Sequence, residues 1–326
     1  MIFLLNILSI TINNWLFMWM LMEFNLMIFI PILIEKKNIK ILSKISFKYF
    51  LIQSFASMIF LFNILMIFLL NNLINMNLIM IMLMITMFMK LGMSPFHMWF
   101  ITMMNNLSWN NCFILSTIQK MIPFIIMMNM INKNLMIFLM FNIFNSIIST
   151  IGGLNQNFIK PLMAYSSINH MSWMMIINLS IEKIFYFYLF IYFIMNLMIM
   201  KFFEWMNIKF MNLIFSKKTS VMNKMIMFIS ILSLGGIPPT IGFLIKWSSI
   251  YSMKINPMMN FNLIILLMMS TITMIYYLNL IIPSLMYFNF ENKIQLNKFL
   301  KKNFKFYIIM ILYLTFSTIT LNNVIY

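Results

Sequence analysis

Two lysines stand inside long apolar stretches of this chain, where a charged side chain is costly. Lys90 comes twelve residues after Leu78, the start of a nearly unbroken apolar run, and so lies roughly 18 Å along a helix that rises 1.5 Å per residue. Lys120 is ten residues beyond Asn110. A lysine at a helix centre costs about 2.5–3.5 kcal/mol on membrane-insertion scales, and ionisable groups at that depth mark ion or proton pathways. Retaining both lysines at this depth therefore requires a functional reason or a charged partner.

A third lysine and a glutamate have two interpretations each. Lys224 and Lys254 bracket 29 residues, which is enough for a broken helix with Lys246 inside it. A span that ended near Ile245 would instead make Lys246 an interfacial anchor. Glu23, within FMWMLMEFNLMIF, is either a neutral, hydrogen-bonded core residue or the partner of a buried lysine, an arrangement that lowers the cost of burying both.

Helix-breaking residues accompany these charges. The sequences LGMSP at 91–95 and LGGIP at 234–238 share a Leu-Gly-x-x-Pro pattern that pairs Gly92 with Gly235, and Pro123 follows Lys120. Proline removes a backbone donor from a helix, and the freed carbonyls are tolerated at membrane depth only where protein or water satisfies them. Paired broken helices in two halves of a chain indicate inverted repeats around a midplane ion site.

The two histidines allow a structural or a functional interpretation. His97 follows the first break, and His170 lies on the polar stripe of AYSSINHMSW. A single histidine on an apolar helix is most often a hydrogen-bonded structural residue, while the polar neighbours make a role in proton relay an equal alternative. We predict no metal site, because no second histidine or carboxylate stands at ligand spacing.

Composition identifies the class of protein. Of 326 residues, 63% are hydrophobic and 8% charged, and the mean hydropathy is +0.96, whereas roughly a quarter of a soluble domain is charged. Cys112 is the single cysteine, so a disulfide framework and a four-cysteine iron–sulfur cluster are excluded, and no glycine-rich nucleotide-binding motif is present. We expect one integral membrane domain over residues 1–326, without a cofactor of its own.

Apolar runs of about 20 residues predict an all-α, polytopic transmembrane bundle. The apolar start of the chain, IFLLNILSITIN, is short for a bilayer, so the predicted number of helices is ten or eleven. The predicted spans are 13–34, 49–70, 78–104, 109–131, 135–152, 162–181, 184–206, 225–253, 258–282 and 306–325.

The net charge of +17 is explained by topology. With eleven spans, 16 of the 22 lysines fall in loops on one side of the membrane, which is the positive-inside pattern. This side should contact anionic lipids such as cardiolipin, and no nucleic-acid partner is expected. The 43 methionines among many Ile, Asn, Phe and Lys residues suggest a mitochondrial gene.

Four ordered motifs carry a family resemblance that extends over nearly the whole chain. MKLGMSPFHMWF, STIQKMIPF, GGLNQNFIKPLMAYSSINHMSWM and LSLGGIPPTIGFLIKW resemble the subunit 2 family of mitochondrial NADH dehydrogenase (respiratory complex I), which are antiporter-like membrane subunits. The resemblance implies two inverted five-helix repeats with discontinuous helices, here about 13–181 and 184–325. It also implies a proton-translocating role in the membrane arm, in the mitochondrial inner membrane.

The same resemblance implies roles for the buried charges. Glu23 matches the family's intramembrane glutamate, Lys90 its paired lysine, Lys120 the central relay lysine and Lys246 the lysine of the second broken helix. The partners expected are other membrane-arm subunits. NADH, FMN, iron–sulfur clusters and ubiquinone are expected in other subunits of the complex, so that the chain is part of an NADH:ubiquinone oxidoreductase without its own redox site.

Three positions depart from the family pattern. Ser172 replaces a glycine, Pro161 replaces a basic residue, and Ile245 replaces a proline next to Lys246. The last departure is expected to alter how Lys246 is presented. Two other functions are alternatives: a stand-alone cation/proton antiporter, which would need the same broken helices, and a purely structural membrane subunit, which would leave Glu23 and the buried lysines without a purpose.

Overall fold

A computed structural model of the chain describes residues 1–34, 39–69, 76–130, 135–179, 182–211, 221–238, 240–252 and 257–286. These residues are helical apart from turns and one antiparallel bridge between Phe158 and Phe210. The helices are α1 (Ile2–Thr11), α2 (Trp15–Leu33), α3 (Ile39–Leu69), α4 (Met76–Leu91), α5 (Met98–Asn106), α6 (Trp109–Ser116), a 3₁₀ turn (Ile118–Lys120), α7 (Met121–Met130), α8 (Leu135–Leu154), α9 (Ile159–Asn178), α10 (Glu182–Met206), α11 (Val221–Gly235), α12 (Ile241–Ser252) and α13 (Pro257–Met286).

Six apolar stretches in the described part of the chain are long enough to cross a membrane, and each overlaps a predicted span. They are Trp15–Leu33, Lys40–Leu69, Trp109–Met130, Leu135–Leu154, Glu182–Met206 and Met259–Ile282. The shortest has 19 residues, which at 1.5 Å per residue approaches the hydrocarbon thickness of about 30 Å. The predicted span 306–325 lies outside the described residues.

Helix α3 begins ten residues before its predicted start, through a segment interpreted as a basic loop. Lys40, Lys44 and Lys48 are exposed, whereas Leu42 and Tyr49 are buried. Residues four apart share one face of a helix, so the three lysines form an outer stripe while the opposite face packs. The lysine cluster is therefore compatible with helix, and the prediction of a loop was wrong.

The first predicted break is a Schellman helix end. Gly92 has φ +68°, its N–H donates to the Met89 carbonyl at 3.3 Å, and the Met93 N–H donates to the Phe88 carbonyl at 3.0 Å. These are the two hydrogen bonds of that motif, with the left-handed residue just past the last helical turn. Lys90 consequently lies in the last turn of α4, and α5 starts only at Met98.

The second break has the same form, one residue later than the sequence pattern indicated. Gly236, and not Gly235, has positive φ, at +80°. The Gly236 N–H donates to the Ser233 carbonyl at 3.1 Å, and the Ile237 N–H to the Leu232 carbonyl at 3.4 Å. The structural counterpart of Gly92 is thus Gly236, because the turn requires a left-handed residue immediately after the helix cap.

A third interruption separates α6 from α7. The backbone tightens into the 3₁₀ turn that ends at Lys120, and the Ile118 carbonyl accepts a hydrogen bond from Asn6 Nδ2 at 3.0 Å. Asn6 belongs to α1, whose ten residues rise only about 15 Å. This first helix therefore does not have the length of a membrane span, and it packs beside the interruption near Lys120.

Helix α9 lies at the centre of the bundle, with nearly all of its side chains buried. It contacts α5, α8, α10, α12 and α13, so both broken helices pack against it. Two of the residues that depart from the family pattern belong to α9 and fit there. Ser172 is fully buried and bonds the Asn169 carbonyl at 2.6 Å, and Pro161 occupies the first turn, where a missing N–H breaks no intrahelical hydrogen bond.

Several lysines assigned to the basic side gather at one end of the bundle. Lys160 donates to the Leu107 carbonyl. Lys201 donates to Asn110 Oδ1 at 2.6 Å, and Lys48 donates to Thr102 Oγ1 at 3.2 Å. All three acceptors lie in the second half of α5 or in the turn and first residues that follow it.

Candidate functional site

Lys90 and Lys120 line one cavity of about 20 Å³ between α2, α3, α4, α5 and α7, room for about one water molecule. Its polar lining also includes Asn25, Gln53 and Gln119. Gln119 Nε2 donates to Asn25 Oδ1 at 3.1 Å, which holds the α2 side of the cavity to the 3₁₀ turn. A polar cavity of this size between two lysines can hold a water that exchanges protons with either one.

The Lys90 side chain is 7% exposed and points its ammonium at the Met22 sulfur, 3.4 Å away. It lies in the last turn of α4, where the backbone dipoles favour a cation. The Lys90 carbonyl accepts a hydrogen bond from Gln53 Nε2 at 3.1 Å, and the Met89 carbonyl accepts one from Trp99 Nε1 at 3.1 Å. The break thus exposes backbone acceptors that side chains of α3 and α5 satisfy.

Glu23 is close to this site without touching the lysine. The two residues lie within electrostatic range, but among the described residues Glu23 forms no ion pair, and its buried Oε1 has no hydrogen-bond partner. Of the two interpretations of Glu23, a contact ion pair with a lysine is not seen among the described residues; Glu23 and Lys90 interact at longer range, and the Lys90 ammonium contacts Met22. The carboxylate keeps one oxygen available for water or for a neighbouring group.

Lys120 is 4% exposed, and its ammonium interacts with residues of two other helices. Its ammonium donates to Ser167 Oγ on α9 at 3.2 Å and lies over the Phe100 ring, 4.3 Å from the centroid. Ser116, one turn earlier in the sequence, bonds the Phe113 carbonyl of its own helix instead. A hydroxyl can both accept and donate a hydrogen bond, and Ser167 Oγ itself donates to the Ala164 carbonyl at 2.7 Å, so Ser167 links Lys120 to the backbone of α9.

His170 lies between the two halves of the site. It is buried, its Nδ1 is 2.8 Å from the Tyr188 hydroxyl, and it is within electrostatic range of both Lys120 and Lys246. His97 is half-buried and does not line the lysine cavity; its Nδ1 is 3.2 Å from the Pro95 carbonyl. The structure thus brings His170 near the buried lysines, whereas His97 lies at the first break.

Lys246 is buried at the second break. Its ammonium donates to the Gly235 carbonyl at 2.6 Å and lies 5.8 Å from the Trp173 ring centroid. The lysine projects from α12 back onto the end of α11, so it is not an interfacial anchor. Ile245 is fully buried beside it and belongs to the regular helix α12.

Among the site residues that sequence reasoning missed are Gln53, Phe100 and Met22. The signal for Gln53 was available, since an amide inside an apolar span requires an internal partner. Phe100 and Met22 look like ordinary apolar residues in the sequence, and only the packing shows that they contact the ammonium groups of Lys120 and Lys90.

The profile of the family described as NADH:quinone oxidoreductase/Mrp antiporter, TM, matches residues 12–275. Among similar proteins, NADH-ubiquinone oxidoreductase chain 2 of Locusta migratoria is 37% identical over 302 residues, which are 89% of this chain and 86% of the relative. The Anopheles gambiae protein of the same name is 39% identical over 284 residues, 84% and 81% of the two chains.

Solved structures share the fold. A chain of respiratory complex I from Thermus thermophilus with bound aureothin superposes with a TM-score of 0.70 at 18% identity, covering 83% of this chain and 66% of that one. A chain of the Mrp complex from Dietzia superposes with a TM-score of 0.71 at 15% identity, covering 82% and 56%. At these identities the likeness concerns the arrangement of helices, and this chain spans two thirds or less of either neighbour.

Proposed function

Because the chain belongs to the NADH:quinone oxidoreductase/Mrp antiporter membrane family, in its chain 2 branch, we propose that it is a proton-translocating membrane-arm subunit of an NADH:ubiquinone oxidoreductase. One observation carries the chemistry. Lys90 and Lys120 share a polar cavity, and His170 stands within electrostatic range of both Lys120 and Lys246. The buried titratable groups therefore form a series through the centre of the bundle.

In this mechanism protons move between nitrogen bases through water and hydroxyl groups. The Lys90 ammonium releases a proton to water in the shared cavity, and the Lys120 amine accepts it. Lys120 donates a proton to Ser167 Oγ while Ser167 turns its own hydroxyl proton away from the Ala164 carbonyl and releases it towards His170, which hands a proton to Lys246. The negative charge of Glu23 favours the protonated form of Lys90, so a change of charge at Glu23 sets when the first transfer occurs.

The helix breaks provide alternating access in the same proposal. Each break ends in a left-handed glycine, and each leaves backbone carbonyls beside a lysine. Water reaching these carbonyls would connect a lysine with one side of the membrane at a time. His97, at the first break, is proposed to serve this access route and not the transfer between lysines.

The energy for translocation comes from elsewhere in the complex. This chain is proposed to have no redox site of its own, so NADH, FMN, iron–sulfur clusters and ubiquinone act on other subunits. Its role in the enzyme is to bind neighbouring membrane-arm subunits and to convert the redox free energy into proton movement.

The architecture that we propose comprises ten or eleven helices in two inverted five-helix repeats, about 13–181 and 184–325. The matching Schellman ends at Gly92 and Gly236 support this relation. The chain is placed in the mitochondrial inner membrane, with its lysine-rich side towards the matrix and in contact with anionic lipids such as cardiolipin. The gathering of Lys48, Lys160 and Lys201 at one end of the bundle supports this orientation.

Native electrophoresis with mass spectrometry tests the assembly. We expect the chain in a single large complex with NADH-oxidising subunits, as the names of its relatives indicate. A chain that migrated alone while still exchanging cations for protons would contradict this assignment. A purely structural subunit is opposed by the buried lysines and would be identified by variants of those lysines that pump normally.

Glu23→Gln is expected to reduce proton translocation several-fold while the complex remains assembled and oxidises NADH. Assembly should survive because Glu23 has no ion pair among the described residues, whereas the loss of its charge removes its influence on Lys90. The measurement is proton uptake per NADH oxidised in sealed membranes. Glu182→Gln, the same change at an exposed position, should behave as the parent; normal pumping by Glu23→Gln would reduce Glu23 to a structural role.

A further inference from the structure

At the first helix break, the donor and the acceptor that would form one helical hydrogen bond each bind a side chain instead. In a continuous helix the Ser94 N–H would donate to the Lys90 carbonyl four residues earlier. Here the Ser94 N–H donates to Asn145 Oδ1 at 3.0 Å, and the Lys90 carbonyl accepts from Gln53 Nε2 at 3.1 Å. Two amide side chains, from α8 and α3, thus take the places of the missing backbone partners.

Burial makes these contacts obligatory. Ser94 and Asn145 are each 1% exposed, so water does not readily substitute for either partner. A buried N–H without an acceptor costs free energy. If Asn145 were withdrawn, the Ser94 N–H would have to find another acceptor, and the nearest candidate by helical geometry is the Lys90 carbonyl.

The amide nitrogen of the Asn145 side chain contacts α9, the helix of Ser167 and His170. Asn145 Nδ2 donates to the Ile168 carbonyl on α9 at 3.0 Å. Ile168 follows Ser167, the hydroxyl that accepts the hydrogen bond of Lys120, and precedes His170 by two residues. The Asn145 side chain therefore connects the break that follows Lys90 with the part of α9 beside Lys120.

We propose that Asn145 is a positioning residue that holds the first helix break open and fixes it to α9. It does not touch the proton. It keeps the end of α4 and the Ser167 segment in one relative position, so that Lys90 and Lys120 stay on a common cavity. This inference rests on the proposed function for its consequence, proton transfer, but the hydrogen bond itself can be tested separately.

Asn145→Leu removes both hydrogen bonds at similar volume, and Asn142→Leu is the matched control. Asn142 lies one turn earlier on α8, is fully buried, and bonds Asn262 Oδ1 at 3.3 Å, so it joins α8 to α13 and not to the break. In the assembled complex, backbone amide exchange in a peptide spanning 90–97 should accelerate by up to about tenfold in Asn145→Leu, the effect of one lost hydrogen bond. In Asn142→Leu it should not change.

The second readout is the number of protons moved per NADH oxidised, with Lys120→Met as the reference. Asn145→Leu should lose as large a share of this ratio as Lys120→Met, and Asn142→Leu should keep the parent ratio. Unchanged exchange in Asn145→Leu, or an equal loss of the ratio in both asparagine variants, would overturn the proposal. If Lys120→Met itself pumped normally, the relay would fail, while the exchange result would still decide whether Asn145 holds the break.

A smaller pair of variants covers the case in which leucine prevents assembly. Asn145→Ser cannot reach both partners, and Asn142→Ser makes the same change at the control position. Accelerated exchange at 90–97 with a reduced proton ratio in Asn145→Ser alone supports the positioning role. Parent values for both quantities in Asn145→Ser would reject it.

Discussion

Replacing Lys120 by methionine is expected to slow proton transfer through this chain by about a hundredfold or more, the usual contribution of a positioned acid or base, while the complex still assembles. Methionine keeps much of the length of the side chain and its packing against Phe100, but it can neither bind a proton nor donate to Ser167. Lys120 lies between the shared cavity and α9, so its loss interrupts the series at the centre. The measurement is proton translocation in membrane vesicles, normalised to assembled complex.

A control separates the loss of the proton site from the loss of positive charge. Lys209 is exposed and follows α10, and Lys209→Met lowers the net charge by the same amount far from the cavity. We expect it to pump as the parent does. If Lys120→Met also pumped at the parent rate, the relay through this chain would have to be abandoned.

Gly236→Val is expected to have the largest effect on assembly. Gly236 has φ +80°, a left-handed conformation that costs an ordinary residue about 1–2 kcal/mol. A β-carbon there would lie 2.9 Å from Lys246 Cδ and 3.0 Å from its Nζ, and such overpacking typically costs about 1–3 kcal/mol more. The combined loss should reduce the amount of assembled complex several-fold and lower its thermal midpoint, both measurable on native gels after heating.

The neighbouring residue gives the comparison for this variant. Ile237→Val also places a valine at the second break, but at a residue whose backbone φ is not positive. It should leave the amount of complex almost unchanged. Any Gly236→Val complex that does assemble should pump poorly, because the Lys246 side chain must move. A variant with the parent's thermal midpoint and parent pumping would show that the second break does not constrain Lys246.

The two breaks share backbone geometry but present their lysines differently. Lys90 belongs to the last turn of the helix that ends, whereas Lys246 projects from the following helix and donates to the Gly235 carbonyl. Lys90 thus belongs to a helix C-terminal turn and the Lys246 ammonium reaches one, where the backbone dipoles favour positive charge. Ile245, in place of the family's proline, continues α12 as a regular helix, so Lys246 reaches the break by the length of its side chain.

Much of the helical plan followed from apolar run length and from proline and glycine positions. The spans near α2, α8, α10 and α13 were predicted within a few residues, because a membrane helix needs about 20 apolar residues. The start of α3 was not, since lysines repeating every four residues allow a helix to extend beyond its apolar part. The pairing of Gly92 with Gly235 was off by one residue, because Gly235 fits the Leu-Gly-x-x-Pro pattern while the adjacent Gly236 takes the left-handed conformation.

The sequence by itself determined that this is a helical membrane chain and that Glu23, Lys90 and Lys120 lie deep in apolar spans, since composition and run length depend on no contact between segments. Only the tertiary structure decided which groups meet. It placed Lys90 beside Met22 and not directly against Glu23, gave Lys120 its bond to Ser167, and assigned Lys246 to the second break. Hydrogen bonds of about 3 Å depend on how distant helices pack and rotate against one another, which the order of residues along each helix does not specify.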